Sequence, residues 1–163
     1  MRTATPPSGR QDEFLAFYDG TFTEAYRYAG RLCGGDRDAA EDLVQDAYMA
    51  VLRQFRADPR RDLQVGYVIT TIRNRHLDRL RSAAREQHRL RLVAADPGER
   101  EPALMPSQLA SLPDRDRTAL VLRYVDDLPV PDVAQAMDLT VHATESLLVR
   151  ARARLRGEDL RHA

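Results

Sequence analysis

The sequence contains no lysine: its 25 basic residues are all arginine, and 25 acids balance them to zero net charge. Arginine codons are rich in G and C, so a GC-rich genome explains this bias and no function follows from it. The single cysteine, Cys33, excludes an internal disulfide and a cysteine-based zinc site, and we expect a small core residue there. No apolar run approaches 18 residues, and the N-terminus lacks the apolar stretch of a signal peptide. A cytoplasmic protein without membrane insertion is therefore expected.

The apolar residues that are present follow the period of a helix. With 163 residues and 43% hydrophobic content, the chain is expected to form one ordinary domain or two small ones. No segment alternates as a strand does, so the sequence predicts an all-α protein. The predicted helices are 12–33 (with a break near Gly20), Asp36 or Asp38 to 55, 67–93, 114–126, 131–137 and 141–156.

A segment with three prolines, 95–106, is typical of a flexible linker between two small helical domains. The predicted domains are 12–94 and 107–158, and residues 1–11 are predicted to be a disordered tail.

The second predicted helix, "GDRDAAEDLVQDAYMAVLRQF" (35–55), is amphipathic in an unusual way. Its core side is predicted to hold Ala40, Leu43, Val44, Ala47, Tyr48, Val51 and Phe55. The opposite side carries an apolar residue among acids: Asp42, Gln45 and Met49, flanked by Asp46. Residues 36–46 have five acids against one arginine, a net charge of −4.

The third predicted helix has a basic exposed face. Residues 73–91 contain seven arginines and two acids, a net charge of +5. The core side is predicted to be Val68, Ile69, Ile72, His76 and Leu80, and the opposite stripe is Tyr67, Thr71, Asn74, Asp78 and Arg81. A ring that can stack on a base, an amide and arginines together favour binding of single-stranded nucleic acid. A solvated face with an incidental tyrosine is the alternative.

The C-terminal segment "PDVAQAMDLTVHATESLLVRARARLR" has the spacing of a helix-turn-helix. Val133, Ala134 and Met137 are predicted to face inward, and Thr140 is placed to cap the second helix. The buried stripe of that helix is predicted to be Val141, Thr144, Leu148, Ala151 and Leu155. His142, Ser146 and Arg150 would face outward, toward a major groove. A generic helical hairpin is the alternative.

Over about residues 13–156 these stretches together resemble the extracytoplasmic-function (ECF) family of bacterial sigma factors. The helix at 35–55 is similar to region 2.1–2.2 of that family, with its Ala-Glu-Asp-Leu-x-Gln-Asp core. "YVITTIRNRHLDRLR" is similar to region 2.3–2.4, and residues 109–156, beginning "LASLPDRDRTALVLRYVDDLP", are similar to region 4. The resemblance implies a non-enzymatic specificity subunit of RNA polymerase that needs no cofactor.

The resemblance also implies partners and site residues. Core polymerase would be bound through the β′ clamp helices and the β flap, promoter DNA at its −10 and −35 elements, and an anti-sigma factor is an expected partner. The β′ clamp helices would contact Asp42, Gln45, Asp46 and Met49. The −10 element would be opened and read by Tyr67, Thr71, Asn74, Arg75 and Arg81, with the loop at 56–66. The −35 element would be read by His142, Ala143, Glu145, Ser146 and Arg150.

The chain departs from the family pattern at a few positions. Tyr67 stands where tryptophan is usual, His142 replaces a glycine, and Glu145 and Leu147 occupy positions that are often basic. Glu145 would either repel phosphate or accept a hydrogen bond from cytosine, and Leu147 would lack a phosphate contact. Asp138 replaces glycine in the turn, where aspartate tolerates a left-handed conformation better than most residues.

Two other classes of function remain open at this stage. A dimeric helix-turn-helix regulator would bind duplex DNA without polymerase, but it would need neither the 35–55 face nor the Tyr67 stripe. A helical metal-carboxylate enzyme would use the acidic cluster Asp38, Glu41, Asp42 and Asp46. The sequence has no Glu-x-x-His pair to accompany that cluster and no glycine-rich phosphate loop.

Overall fold

A computed structural model describes residues 9–58, 60–90 and 107–157 of the chain. These residues form helices, turns and loops with no strand, which confirms the predicted all-α class. The helices are α1 (Arg10–Leu32), α2 (Arg37–Ala57), α3 (Val65–Leu90), α4 (Ser107–Ala110), α5 (Asp114–Leu120), a π-helical segment (Val121–Val125), α6 (Val130–Ala136) and α7 (Val141–Leu155). The predicted linker and most of the predicted tail lie outside the described residues.

The boundary between α1 and α2 is set by local backbone chemistry. Gly34 and Gly35 adopt positive φ angles of 65° and 80°, and the Gly35 N–H donates to the Gly30 carbonyl at 3.0 Å, which closes α1. Asp36 then caps α2, because its Oδ1 accepts from the Ala39 N–H at 3.0 Å. The predicted break near Gly20 is wrong: α1 runs through Gly20 without interruption, since a single glycine only weakens a helix.

Helices α1, α2 and α3 form a first unit around one core. All seven predicted core residues of α2 are buried, which confirms the helical wheel: Ala40, Leu43, Val44, Ala47, Tyr48, Val51 and Phe55. On α3 the core prediction is confirmed for Val68, Ile72 and His76, whereas Ile69 and Leu80 are only half-buried. The first unit is therefore a three-helix bundle that leaves the remaining face of α2 to solvent.

Helices α4 to α7 form a second unit with the predicted helix-turn-helix. Val133, Ala134 and Met137 are buried as expected, and Thr140 Oγ1 accepts from the Ala143 N–H at 3.1 Å. Asp138 has φ 56°, so the prediction of a left-handed turn residue is confirmed.

The predicted buried stripe of α7 needs correction. Val141 is 45% exposed and Leu155 is half-buried, whereas Leu147 is only 7% exposed. Leu147 packs in the core of the second unit, in one cluster with Leu77 of α3. The expectation that Leu147 occupies a DNA-facing position was wrong for this reason.

The predicted helix 114–126 does not continue as an α-helix to its end. From Val121 the turns widen, and the Asp126 N–H donates to the Val121 carbonyl at 3.0 Å, five residues back. Asp127 then has φ 53°, and the Leu128 N–H donates to the Leu122 carbonyl at 3.1 Å. The chain consequently turns sharply at 126–128, and Asp126 faces the first unit.

The second unit packs directly on α1 and α3. Arg117, only 1% exposed, donates from Nε to the Leu32 carbonyl at 3.0 Å and from a terminal nitrogen to the Leu112 carbonyl at 2.9 Å. The same guanidinium pairs with Asp114. A Cβ at Gly34 would lie 2.5 Å from an Arg117 terminal nitrogen, so the close approach requires glycine there.

His76 and Leu77 of α3 complete the contact between the units. His76 Nε2 lies 2.9 Å from the Thr118 hydroxyl, which itself donates to the Asp114 carbonyl, so the imidazole is the donor of the pair. Burial and the nearby Arg117 lower the pKa of His76 to about 4. Leu77 is 5% exposed and belongs to the core of the second unit.

Candidate polymerase and nucleic-acid interfaces

The exposed face of α2 presents the predicted protein-binding residues together. Asp42, Gln45 and Asp46 are all exposed. Met49, which follows them on this face toward the C-terminal end of the helix, is 52% exposed. Arg79 of α3 places one terminal nitrogen 3.2 Å from Asp46 and 3.9 Å from Asp42. This exposed ion pair contributes under about 1 kcal/mol to stability, but it holds both carboxylates at one edge of the face.

Arg79 was expected on the basic nucleic-acid helix, and its contact with α2 was not predicted. The signal was present, because Arg79 follows Ile72 by two helical turns and therefore lies on the side of α3 that packs on α2.

An apolar cleft continues the α2 face toward α1 and was not predicted. Its volume is about 420 Å³, and its walls include Phe14, Leu15 and Leu52 with arginines at its rim. Leu15 is 51% exposed. The face therefore changes along α2 from acidic, through apolar Met49, to an apolar cleft with a basic rim.

The predicted nucleic-acid stripe of α3 is only partly open. Asn74 and Arg75 are exposed, whereas Tyr67, Thr71 and Arg81 are half-buried. The Thr71 hydroxyl donates to the Tyr67 carbonyl at 2.8 Å and is used within the helix.

Tyr67 has a neighbour that was not among the predicted site residues. The Arg61 guanidinium lies over its ring at 4.7 Å from the centroid, so a cation covers one face of the predicted stacking residue. Arg61 belongs to the loop before α3, and sequence spacing alone gives no indication of this contact.

The second unit borders the other edge of the α3 stripe. Arg81 pairs with Asp78 at 3.3 Å and also donates to the Ala136 carbonyl. Arg73, which was not among the predicted site residues, lies 3.5 Å from the Asp126 carboxylate. A cleft of about 480 Å³ separates Asn74 from the facing residues of the second unit.

The predicted recognition helix, α7, is exposed along part of its surface. His142, Glu145, Ser146 and Arg150 are exposed. Ala143 is half-buried, and together with Arg150 it lines a cleft of about 510 Å³ opposite the second half of α3. Four of the five predicted −35 residues are thus exposed, and Ala143 and Arg150 line the cleft that faces the first unit.

The second unit also carries an exposed apolar patch. Tyr124 is 55%, Val125 46% and Val149 57% exposed, and an Arg152 nitrogen lies 3.2 Å from the Tyr124 hydroxyl. No group of three or more His, Cys, Asp or Glu is arranged to hold a metal ion within 9–58, 60–90 and 107–157. Over those same ranges, no helix has the length and apolarity needed to cross a membrane.

An all-helical protein with a helix-turn-helix, a basic helix and a separate acidic face is a DNA-binding transcription protein. Comparison with known families is consistent with this class: residues 20–86 match "Sigma-70 region 2", and residues 104–155 match "Sigma-70, region 4". A search of curated protein sequences found no match.

Among the solved structures similar to the chain are three complexes. The sigma factor RpoE of Bartonella quintana, in complex with the anti-sigma factor NepR, is 22% identical, with 92% of this chain and 99% of that chain covered and a TM-score of 0.56. CnrH in complex with the cytosolic domain of CnrY is 26% identical, with coverage of 92% and 89% and a TM-score of 0.46. BldN and RsbN in complex give 20% identity, coverage of 92% and 94%, and a TM-score of 0.38.

The chain belongs to the sigma-70 family. It is an RNA polymerase sigma factor that acts in promoter-directed transcription initiation, which confirms the function predicted from the three sequence motifs.

Proposed function

We propose that the first unit binds the β′ clamp helices of core polymerase through the exposed face of α2. The observation that supports this most strongly is the position of Met49, an exposed apolar side chain beside Gln45 and the carboxylates of Asp42 and Asp46. An apolar centre within a charged rim is the usual anatomy of a protein interface. Acids on this surface would also steer a basic partner into place.

The change Asp42→Arg with Gln45→Ala tests this surface. Both side chains are exposed, so the stability cost should stay within about 0.5 kcal/mol, and binding to core polymerase should weaken at least about tenfold because a favourable charge becomes repulsive. The matched control is Asp19→Arg with Gln108→Ala, which changes the same residue types at other exposed positions. Equal affinities of the two variants in a core-polymerase titration would disprove the docking face.

We further propose that Tyr67, Thr71, Asn74, Arg75 and Arg81 act on the −10 element once it is single-stranded. The ring of Tyr67 is half-exposed, with Arg61 over one face, and its exposed area is available to a base. Base stacking on an aromatic ring is worth about 1–3 kcal/mol. Tyr67→Ala should therefore reduce open-complex formation more than closed-complex binding, while Tyr67→Phe, which keeps the ring, should preserve both. Equal losses in the two complexes would assign Tyr67 a packing role only.

For the second unit we propose that α7 reads the −35 element with His142, Ala143, Glu145, Ser146 and Arg150. The exposed patch of Tyr124, Val125 and Val149 suits the β flap, because exposed apolar area is typical of a protein-binding surface. Tyr124→Ala should weaken transcription from promoters that depend on a −35 element and leave affinity for isolated −35 duplex unchanged. Loss of duplex binding would place Tyr124 at the DNA instead.

The full proposal divides the chain into a tail (1–11), a core-polymerase and −10 domain (12–94), a linker (95–106) and a −35 domain (107–158). The protein would work in the cytoplasm, without catalysis of its own, and under an anti-sigma factor. The RpoE structure, a complex with an anti-sigma factor, supports such a partner. Purification of the chain from its native host should recover a stoichiometric inhibitor that blocks core-polymerase binding; purified chain that is fully active from the start would argue against one.

A further inference from the structure

Asp126 of the second unit is held at the surface of the first by two polar contacts. Its Oδ2 accepts from the Tyr28 hydroxyl at 2.7 Å and lies 3.5 Å from a terminal nitrogen of Arg73. The Asp126 side chain is 8% exposed and that of Arg73 is 24% exposed, so the pair is largely removed from water. Burial and the hydrogen bond to Asp126 raise the pKa of Tyr28, which keeps the phenol protonated as the donor.

Arg73 occupies a position on α3 that is relevant to nucleic acid. It precedes Asn74, which is exposed, and it lies one turn before Leu77, which the second unit buries. Two helical turns further along, Arg81 donates to the Ala136 carbonyl. The guanidinium groups at the edge of the α3 stripe thus bind oxygen atoms of the second unit, where DNA would offer phosphate oxygens.

The compact arrangement also conflicts with the geometry of a promoter. Elements centred at −10 and −35 are about 25 base pairs apart, or roughly 85 Å at 3.4 Å per base pair. In the structure Leu80 of α3 and Leu147 of α7 line the same cleft. The whole of α3, with 26 residues, measures only about 39 Å. The two units must separate before both elements can be bound.

We propose that the compact arrangement is an autoinhibited state in which Asp126 occupies the phosphate-binding position of Arg73. Contact between the units and binding of DNA by α3 are then mutually exclusive. Separation of the units frees Arg73 for a backbone phosphate of the −10 strand. This inference rests on the proposed role of α3 in −10 binding, but it makes a separate statement about the contact between the units.

The structure offers a matched pair of variants for the test. Asp126→Asn removes the charge that neutralises Arg73, whereas Asp127→Asn removes the same charge from a side chain that is 95% exposed and faces Arg123 at 3.6 Å. Asparagine tolerates the positive φ of residue 127 as aspartate does. The full chain, at low salt, is titrated with a fluorescein-labelled oligothymidine of about 20 nucleotides. Its radius of gyration is measured in parallel by small-angle X-ray scattering.

Asp126→Asn should bind this single strand at least about threefold more tightly than Asp127→Asn, and its salt dependence should steepen by about 0.7, the value for one further phosphate contact. Its radius of gyration should increase, and that of Asp127→Asn should not. Tyr28→Phe, which changes no charge, should shift both readouts in the direction of Asp126→Asn. Arg73→Ala should expand the chain without the gain in affinity.

Identical affinities and radii for Asp126→Asn and Asp127→Asn would overturn the inference. Core-polymerase binding is measured on the same samples. If those two variants behave alike and polymerase binding is normal, the inference fails and the proposed function stands. Expansion of Asp126→Asn without any binding to polymerase or oligothymidine would instead contradict the proposed function.

Discussion

Arg117 is the side chain whose removal should affect the contact between the units most. It is 1% exposed and its guanidinium binds the carbonyls of Leu32 and Leu112 and the carboxylate of Asp114. Hydrogen bonds from a charged donor contribute about 1.5–3 kcal/mol each. Its removal would also leave the carbonyls of Leu32 and Leu112 without this donor, at about 1–3 kcal/mol each. Arg117→Ala should therefore lower the free energy of unfolding by about 3–5 kcal/mol.

Gly34 allows this assignment to be tested by a double-mutant cycle. Gly34→Ala alone incurs about 1–2 kcal/mol for a left-handed alanine and a clash with Arg117 at 2.5 Å. In the Arg117→Ala background the clash is absent, so Gly34→Ala should cost only the free energy of placing alanine in the left-handed conformation. Urea unfolding followed by far-UV circular dichroism gives the four free energies. A loss below about 1 kcal/mol for Arg117→Ala, or an equal cost of Gly34→Ala in both backgrounds, would refute the reasoning.

Three further predictions follow from single side chains. His76 has a pKa of about 4 in the folded chain and 6.5 when unperturbed, so its contribution to the free energy of unfolding is complete above pH 6.5 and is lost as the pH falls through 4. Wild type should therefore lose about 3 kcal/mol more than His76→Gln across that range. Parallel pH profiles of unfolding for the two proteins would contradict this. Thr140→Ala should cost about 1 kcal/mol through loss of the α7 cap, whereas Thr140→Ser, which keeps the hydroxyl, should cost little; equal melting temperatures of these two variants would exclude the cap. Glu145→Arg should strengthen binding to native and scrambled −35 duplexes alike and steepen the salt dependence by about 1; weaker binding to the native duplex alone would make Glu145 a base reader.

The sequence predicted the elements whose patterns are local. The core face of α2, the caps at Asp36 and Thr140 and the left-handed Asp138 each depend on neighbours within one or two helical turns. The helical wheel for α2 was correct at every core position because one face of that helix meets one bundle and the other meets solvent.

The contacts between the units could not be predicted in the same way. Leu77 and Leu147 are buried because each faces an element far away in the chain, and Arg73 is bound by a residue 53 positions later. No periodic pattern encodes such a pairing. The end of helix 114–126 is a similar case, since the change to π-helical turns at Val121 accompanies the contact of Asp126 with Tyr28.

Transcription by reconstituted holoenzyme tests the central claim most directly. Core polymerase with and without the purified chain is given fragmented DNA of the native host, and the 5′ ends of the transcripts are mapped. We expect new start sites that share one −10 and one −35 sequence at constant spacing, with their yield reduced at least about tenfold by Asp42→Arg with Gln45→Ala. Start sites identical to those of core polymerase alone, with a chain that is folded and monodisperse, would contradict the assignment as a sigma factor.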